Sequence, residues 1–235
     1  MKKVSSGDLL PLKSMIISHL SEEYKKLPIE HNNGAFYYSK ELVENVIPFI
    51  KTDRNWITIN AENTCLDHSI VFIHNNKNPE RYTWLADYKD LILVCSSIKT
   101  LQTMIEMFPK FHSIFIPLSI DTAYVEKFRV KRKTKKIAYF GRMEKIPESI
   151  AKHDTIDKIT GLDRDELLRT VAKYKTVYAI GRCAVEAKCL GCEVISHEGE
   201  FENKSWDVID NKEIIPELQR ILDEIDYIIK KRNKK

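Results

Sequence analysis

Apolar positions in this chain come in short continuous runs, and the stretches between them carry helical spacing. Asn55-Trp56-Ile57-Thr58-Ile59-Asn60, Ser69-Ile70-Val71-Phe72-Ile73-His74, Leu91-Ile92-Leu93-Val94-Cys95-Ser96 and Ser113-Ile114-Phe115-Ile116-Pro117 are rich in β-branched and aromatic residues. Continuous apolar strands predict a parallel sheet covered on both faces. Residues 98–108 set apolar side chains at 101, 104, 105 and 108, the spacing of one helix face. After the basic stretch 129–136 the pattern restarts. Ile137-Ala138-Tyr139-Phe140 predicts a strand that runs straight into Gly141-Arg142, and 155–159 predicts another. Asp163 opens a helix through Ala172, with Glu166 three residues on in a capping-box arrangement. Strands are expected at Val177 and Val194, and a long helix from about Lys212 to Lys230. The first fifty residues read as helical over Leu9–Tyr24 and Lys40–Ile50, around the polar loop Glu30-His31-Asn32-Asn33-Gly34. The alternation predicts an α/β protein of two successive parallel-sheet units, 1–128 and 129–235.

The run from Tyr178 to Ile195 carries the most chemistry. It reads as a buried strand, a Gly181-Arg182 turn, a helix of about two turns, a stop at Gly191 and a second strand. A strand entering a helix through Gly-Arg offers backbone N–H groups and a guanidinium at the positive end of the helix dipole, a seat for phosphate or diphosphate. Glu186, one turn on, is placed to accept bonds from sugar hydroxyls.

Composition narrows the classes. With 235 residues, 43% hydrophobic and 31% charged, the chain has enough material for two cores. No apolar stretch approaches the roughly 18 residues of a membrane span. Met1–Asp8 is followed by no signal-peptide core, so a cytoplasmic location is expected. Five cysteines at irregular spacing argue against a disulfide framework. A net charge of +4 does not by itself imply nucleic acid. Cys189-Leu190-Gly191-Cys192, with Cys183 and His197 nearby, has ligand-like spacing, but packed small hydrophobes explain it better than zinc. His68 and His74 read equally as cleft residues and as polar loop residues. Ser96 and Ser97 end a strand, and Glu62, Asp67 and Asp87 are carboxylates expected near the same sheet edge. The six Lys and Arg of residues 129–136 read first as a solvated linker and second as a polyanion track.

Three segments, in order, resemble the large retaining family 4 of GT-B glycosyltransferases. Ser113–Asp121 is similar to its inter-domain isoleucine-proline segment. Lys136-Ile137-Ala138-Tyr139-Phe140-Gly141-Arg142-Met143-Glu144-Lys145 is similar to the opening of its C-terminal domain. Gly181–Ile195 is similar to its glutamate-containing helix, and the likeness covers about residues 69–200. The resemblance implies two Rossmann-like units with an inter-domain cleft, the second holding a UDP- or GDP-sugar. It implies metal-independent, retaining transfer of the sugar to a hydroxyl acceptor, a glycan, a cell-wall polymer or, less in keeping with it, DNA. No cofactor besides the nucleotide-sugar substrate is implied. Gly141, Arg142 and Lys145 would face the diphosphate, together with Gly181, Arg182 and Cys183. Glu186 would bond the ribose, and His74 would face the acceptor or the transferred sugar and count with Arg142 and Lys145 as a catalytic group. Tyr178 stands where the family carries the first of two glutamates. That departure keeps a second reading open, a catalytically degenerate GT-B-like binding or regulatory protein, beside a third, a transferase acting on modified DNA bases.

Overall fold

The computed structural model describes residues 34–59, 65–73, 79–143, 146–197 and 206–232. The expected helix Leu9–Tyr24, and Glu62, His74 and Lys145, lie outside the described residues. The protein is α/β, with two parallel sheets of four strands each. Of the described residues, 39–117 and 212–232 form one compact unit, and 34–38 with 118–211 form the other. The basic strip 129–136 therefore belongs to the body of the second unit.

Helix α1 spans Gly34–Asn45 and is followed by a 3-10 turn, Ile47–Phe49. The expected helix to Ile50 stops early because Pro48 has no N–H for the Glu44 carbonyl and its ring would clash with that carbonyl in a continuing α-helix. The first sheet contains β1 (Asn55–Ile59), β2 (Ser69–Ile73), β3 (Leu91–Cys95) and β4 (His112–Phe115), in that order. Every residue of β2 and β3 is buried, as their unbroken apolar sequences require. One face packs Ile57, Val71, Ile73, Leu91 and Leu93 against Met104 and Phe108 of α2 (Ile98–Met107) and its C-cap, and against Tyr82 and Leu85 of a 3-10 helix, Pro79–Asp87. The opposite-face residues Trp56, Ile70, Phe72, Ile92 and Val94 are buried as well, so both faces are covered.

The second unit begins with α3 (Thr122–Glu126), β5 (Lys135–Phe140), α4 (Glu148–Ala151) and β6 (Asp157–Ile159). It continues through α5 (Arg164–Val171), β7 (Tyr174–Tyr178), α6 (Gly181–Cys189) and β8 (Glu193–Ile195). Asp163 caps α5 as expected, its Oδ1 accepting from the Glu166 N–H at 2.9 Å. The strand order is β6-β5-β7-β8. The chain goes out from β5 to β6, then crosses back to lay β7 on the other side of β5. That reversal is a topological switch point, and open α/β sheets bind ligands at the carboxyl ends of the strands flanking it. Among the described residues, the strands of the first sheet follow chain order, with no such reversal. The last helix, α7 (Asn211–Arg232), carries a buried stripe of Ile214, Leu218, Leu222 and Ile225 and groups with the first unit.

Half of the basic strip is committed to structure. Lys133 Nζ donates to the Ala172 carbonyl at 2.8 Å and the Leu190 carbonyl at 2.7 Å, the C-caps of α5 and α6. One ammonium thus closes the negative ends of two helices. Lys135 Nζ bonds the Tyr174 hydroxyl at 2.9 Å, and Arg129 lies across Gly191, where an added Cβ would come within 3.2 Å of its Nε. Lys133→Met is expected to cost about 1–3 kcal/mol, the range for two charge-assisted bonds to carbonyls. Exposed Lys131→Met should cost less than about 0.5 kcal/mol. Urea midpoints of the two variants check this, and equal midpoints would return Lys133 to the solvated charges.

Candidate functional site

The two glycine turns singled out in the sequence leave adjacent strands. β5 and β7 pair in parallel with Tyr139 opposite Tyr178, so Gly141 and Gly181 follow side by side at the switch point. Gly181 takes φ +57°, the left-handed region that favours glycine, and a Cβ there would meet nothing within 4 Å. The N-cap of α6 is Ile180, whose side chain makes no capping bond. The first-turn N–H groups of α6 therefore take no acceptor from a cap. Gly141 is constrained differently, since a Cβ on it would lie 2.7 Å from the Tyr139 hydroxyl. Arg142 follows it with an exposed side chain.

Inside the first turn of α6 the electrostatics are dense. Arg182 and Glu186 stand four residues apart on one helix face, and Arg182 Nε donates to Glu186 Oε1 at 2.5 Å. Arg164, the first residue of α5, brings its NH2 within 2.6 Å of the same oxygen. Glu186 is 1% exposed, so its carboxylate faces two guanidiniums inside the protein. Burial pushes its pKa up, but Arg164 and Arg182 outweigh burial and hold it below the ordinary glutamate value. The Arg164 guanidinium lies over the Tyr37 ring at 4.6 Å and near the Tyr124 ring at 6.0 Å. The Tyr124 hydroxyl bonds Asp165, and burial raises the Tyr37 phenol. Burial lifts the Cys183 thiol to about 12, with Glu186 adding to the rise and Arg164, Arg182 and Arg142 opposing it. Arg142 thus belongs to the electrostatic neighbourhood of the α6 start.

The structure therefore brings together Gly141, Arg142, Gly181, Arg182, Cys183 and Glu186. It adds four residues that the sequence reading did not assign to the site. Arg164 and Tyr37 complete the Glu186 cluster. Tyr139 lies under Gly141, and His197, just past β8, sets its ring 5.3 Å from the Tyr139 ring. Arg164 was open to discovery, because the helix after β6 of a parallel sheet starts at the same edge as the helix after β7. Tyr37, more than a hundred residues upstream, gave no comparable signal.

Other expected residues lie elsewhere. His68 sits before β2, at the amino end of the first sheet, with Nδ1 2.6 Å from Asp90 Oδ2 and Nε2 3.3 Å from Asp53 Oδ1. Asp67 Oδ1 accepts the Lys89 N–H at 2.8 Å at that end, and Asp87 closes the 3-10 helix just before β3. Placing Asp67 and Asp87 at the carboxyl edge is corrected: each precedes the strand it neighbours. Ser97 caps α2, accepting the Thr100 N–H at 3.1 Å, while Ser96 is half-buried at the carboxyl end of β3. Cys189 and Cys192 are buried, and Cys192 Sγ lies 3.5 Å from Lys133 Nζ. Among the described residues no three His, Cys, Asp or Glu side chains are grouped to hold a metal ion, and no helix is long and apolar enough to cross a membrane. No family model matches the chain, and no curated protein matches it.

Proposed function

We propose that the second unit binds the diphosphate of a nucleotide sugar at the carboxyl edge between β5 and β7. The protein then acts as a GT-B-type glycosyltransferase on a hydroxyl acceptor. The observation that carries the reading is the pair of turns Gly141-Arg142 and Gly181-Arg182 on adjacent strands at the reversal of strand order. Glycines let a phosphate approach the backbone, the start of α6 supplies oriented N–H donors, and Arg142 supplies charge at the surface. The UDP- or GDP-sugar donor, metal-independent retention and the roles of Lys145 and His74 rest on the sequence resemblance alone.

In the transfer the bond from the sugar C1 to the diphosphate oxygen breaks and a bond from C1 to the acceptor oxygen forms. The acceptor's proton passes to the departing diphosphate. Negative charge grows on that leaving group, so preorganised cations and N–H donors at the β5–β7 edge lower the barrier. Glu186 holds Arg182 and Arg164 in place in this reading, and its contact with ribose requires the cluster to open toward the ligand.

Thermal-shift titration of the full chain with UDP, GDP, ADP, CMP and their sugar conjugates tests the proposal. One nucleoside diphosphate should raise the melting temperature, and Arg142→Ala should weaken its binding by about tenfold. Stabilisation unchanged in Arg142→Ala and Gly181→Val would move the ligand away from this edge. No shift with any nucleotide would sink the reading.

A further inference from the structure

We infer that Tyr139 is a positioning residue that turns the Arg142–Met143 peptide so that its N–H becomes a ligand donor. The inference rests on the phosphate reading of the β5–β7 edge. Tyr139 is 2% exposed and sits in a small core with Ile150 and Ile156, with Ile137 and Tyr178 packed alongside. Its ring is fixed from two sides, by that core and by the His197 ring at 5.3 Å. From this fixed base the hydroxyl reaches past Gly141 and donates to the Arg142 carbonyl at 2.9 Å.

Gly141 makes that reach sterically allowed, because any side chain there would meet the hydroxyl at 2.7 Å. The Gly-Arg turn and the tyrosine two residues before it are therefore one device. A trans peptide is planar, with its C=O and N–H on opposite sides. Drawing the Arg142 carbonyl onto the buried hydroxyl points the Met143 N–H the other way, out of the core. Among the described residues, none accepts a bond from that N–H. The Met143 side chain is itself exposed, in keeping with a turn whose outer surface faces solvent.

A backbone donor held this way needs no reorganisation when an anionic oxygen arrives, and it does not compete with the Arg142 side chain for the same lone pair. The ligand class is a phosphate oxygen, since neutral sugar hydroxyls gain less from a preoriented donor. Replacing the hydroxyl by hydrogen leaves the ring, its packing and Gly141 in place and removes the bond to the Arg142 carbonyl.

The experiment is Tyr139→Phe in the full chain, with calorimetric titration of UDP and GDP. Ligand-observed NMR of uridine and guanosine and the 15N–1H resonance of the Met143 amide accompany it. The expected result is about tenfold weaker binding of the nucleoside diphosphate that the wild-type chain binds, with unchanged nucleoside binding and a displaced Met143 amide. Diphosphate and nucleoside weakened equally would mark a general structural effect and overturn the inference. Unchanged diphosphate binding, or an unmoved Met143 amide, would overturn it while leaving the phosphate site standing. Failure of the wild-type chain to bind either diphosphate would overturn the phosphate reading and this inference with it.

Discussion

Glu186→Gln is expected to lower the unfolding free energy by about 3–5 kcal/mol, the range for breaking a buried ion pair by removing one partner. The carboxylate is 1% exposed, with Arg182 Nε at 2.5 Å and Arg164 NH2 at 2.6 Å on one oxygen. Glutamine keeps the shape and one acceptor but removes the negative charge, leaving two guanidiniums repelling each other in a poorly solvated place. The pH dependence follows from the lowered pKa of Glu186. A depressed carboxyl stabilises the fold fully above its unfolded value, about 4.3, and loses that contribution as pH falls through the lower folded value. The gap between wild type and Glu186→Gln should therefore be largest near neutral pH and shrink in acid. Urea denaturation at about pH 7 and about pH 3.5 measures both. A gap below about 1 kcal/mol at neutral pH would mean that water reaches the cluster and the carboxylate is free for a ligand. The double variant Arg182→Met with Glu186→Leu should recover part of the loss, because it removes a buried charge from each side.

Much of this architecture was legible in the chain. Runs such as Leu91–Val94 had no polar alternation, and only a parallel sheet with both faces covered buries them fully. Asp163 with Glu166, and Gly191 at φ +78°, marked a helix start and a helix end by local chemistry, and the structure places both there. The Gly141 and Gly181 turns were legible as turns, but their adjacency was not. It depends on β7 pairing with β5 on the side opposite β6, which no residue in either turn specifies. Glu186 shows the same limit. Its spacing from Gly181 suggested a carboxylate open to ribose, whereas its burial follows from Arg164 arriving on a different helix. The 3-10 helix at Pro79–Asp87 carried no apolar periodicity strong enough to separate it from loop, and the short helices α3 and α4 were missed for the same reason.

Arg54→Met should rank with Glu186→Gln in cost, at about 3–5 kcal/mol, although it lies far from the candidate site in sequence and serves the first unit alone. The Arg54 side chain is 1% exposed, and each guanidinium nitrogen makes a hydrogen bond. Nε donates to Asp226 Oδ1 at 2.9 Å, NH1 to the Asp90 carbonyl at 3.0 Å, and NH2 to Asp90 Oδ1 at 3.1 Å. One planar fork therefore ties the start of β1, the turn before β3 and the last third of α7. The Asp90 turn needs this tie, because Asp90 takes φ +51° and its partner His68 φ +58°, left-handed backbone that strains residues other than glycine. Lysine is no substitute: a single ammonium cannot span a carbonyl, a carboxylate and a second carboxylate in one plane. Arg54→Lys should thus fall much closer to Arg54→Met than to wild type. Asp226→Asn should cost only about 1–2 kcal/mol, since Asp226 is partly exposed and its loss leaves two Arg54 bonds to Asp90 intact. Hydrogen exchange gives the second readout. With Arg54→Met, amides of the C-terminal turns of α7 should lose protection before those of β2 and β3, every residue of which is buried. Uniform loss of protection would show instead that Arg54 supports the whole unit, and a cost below about 1 kcal/mol would show that the fork is dispensable.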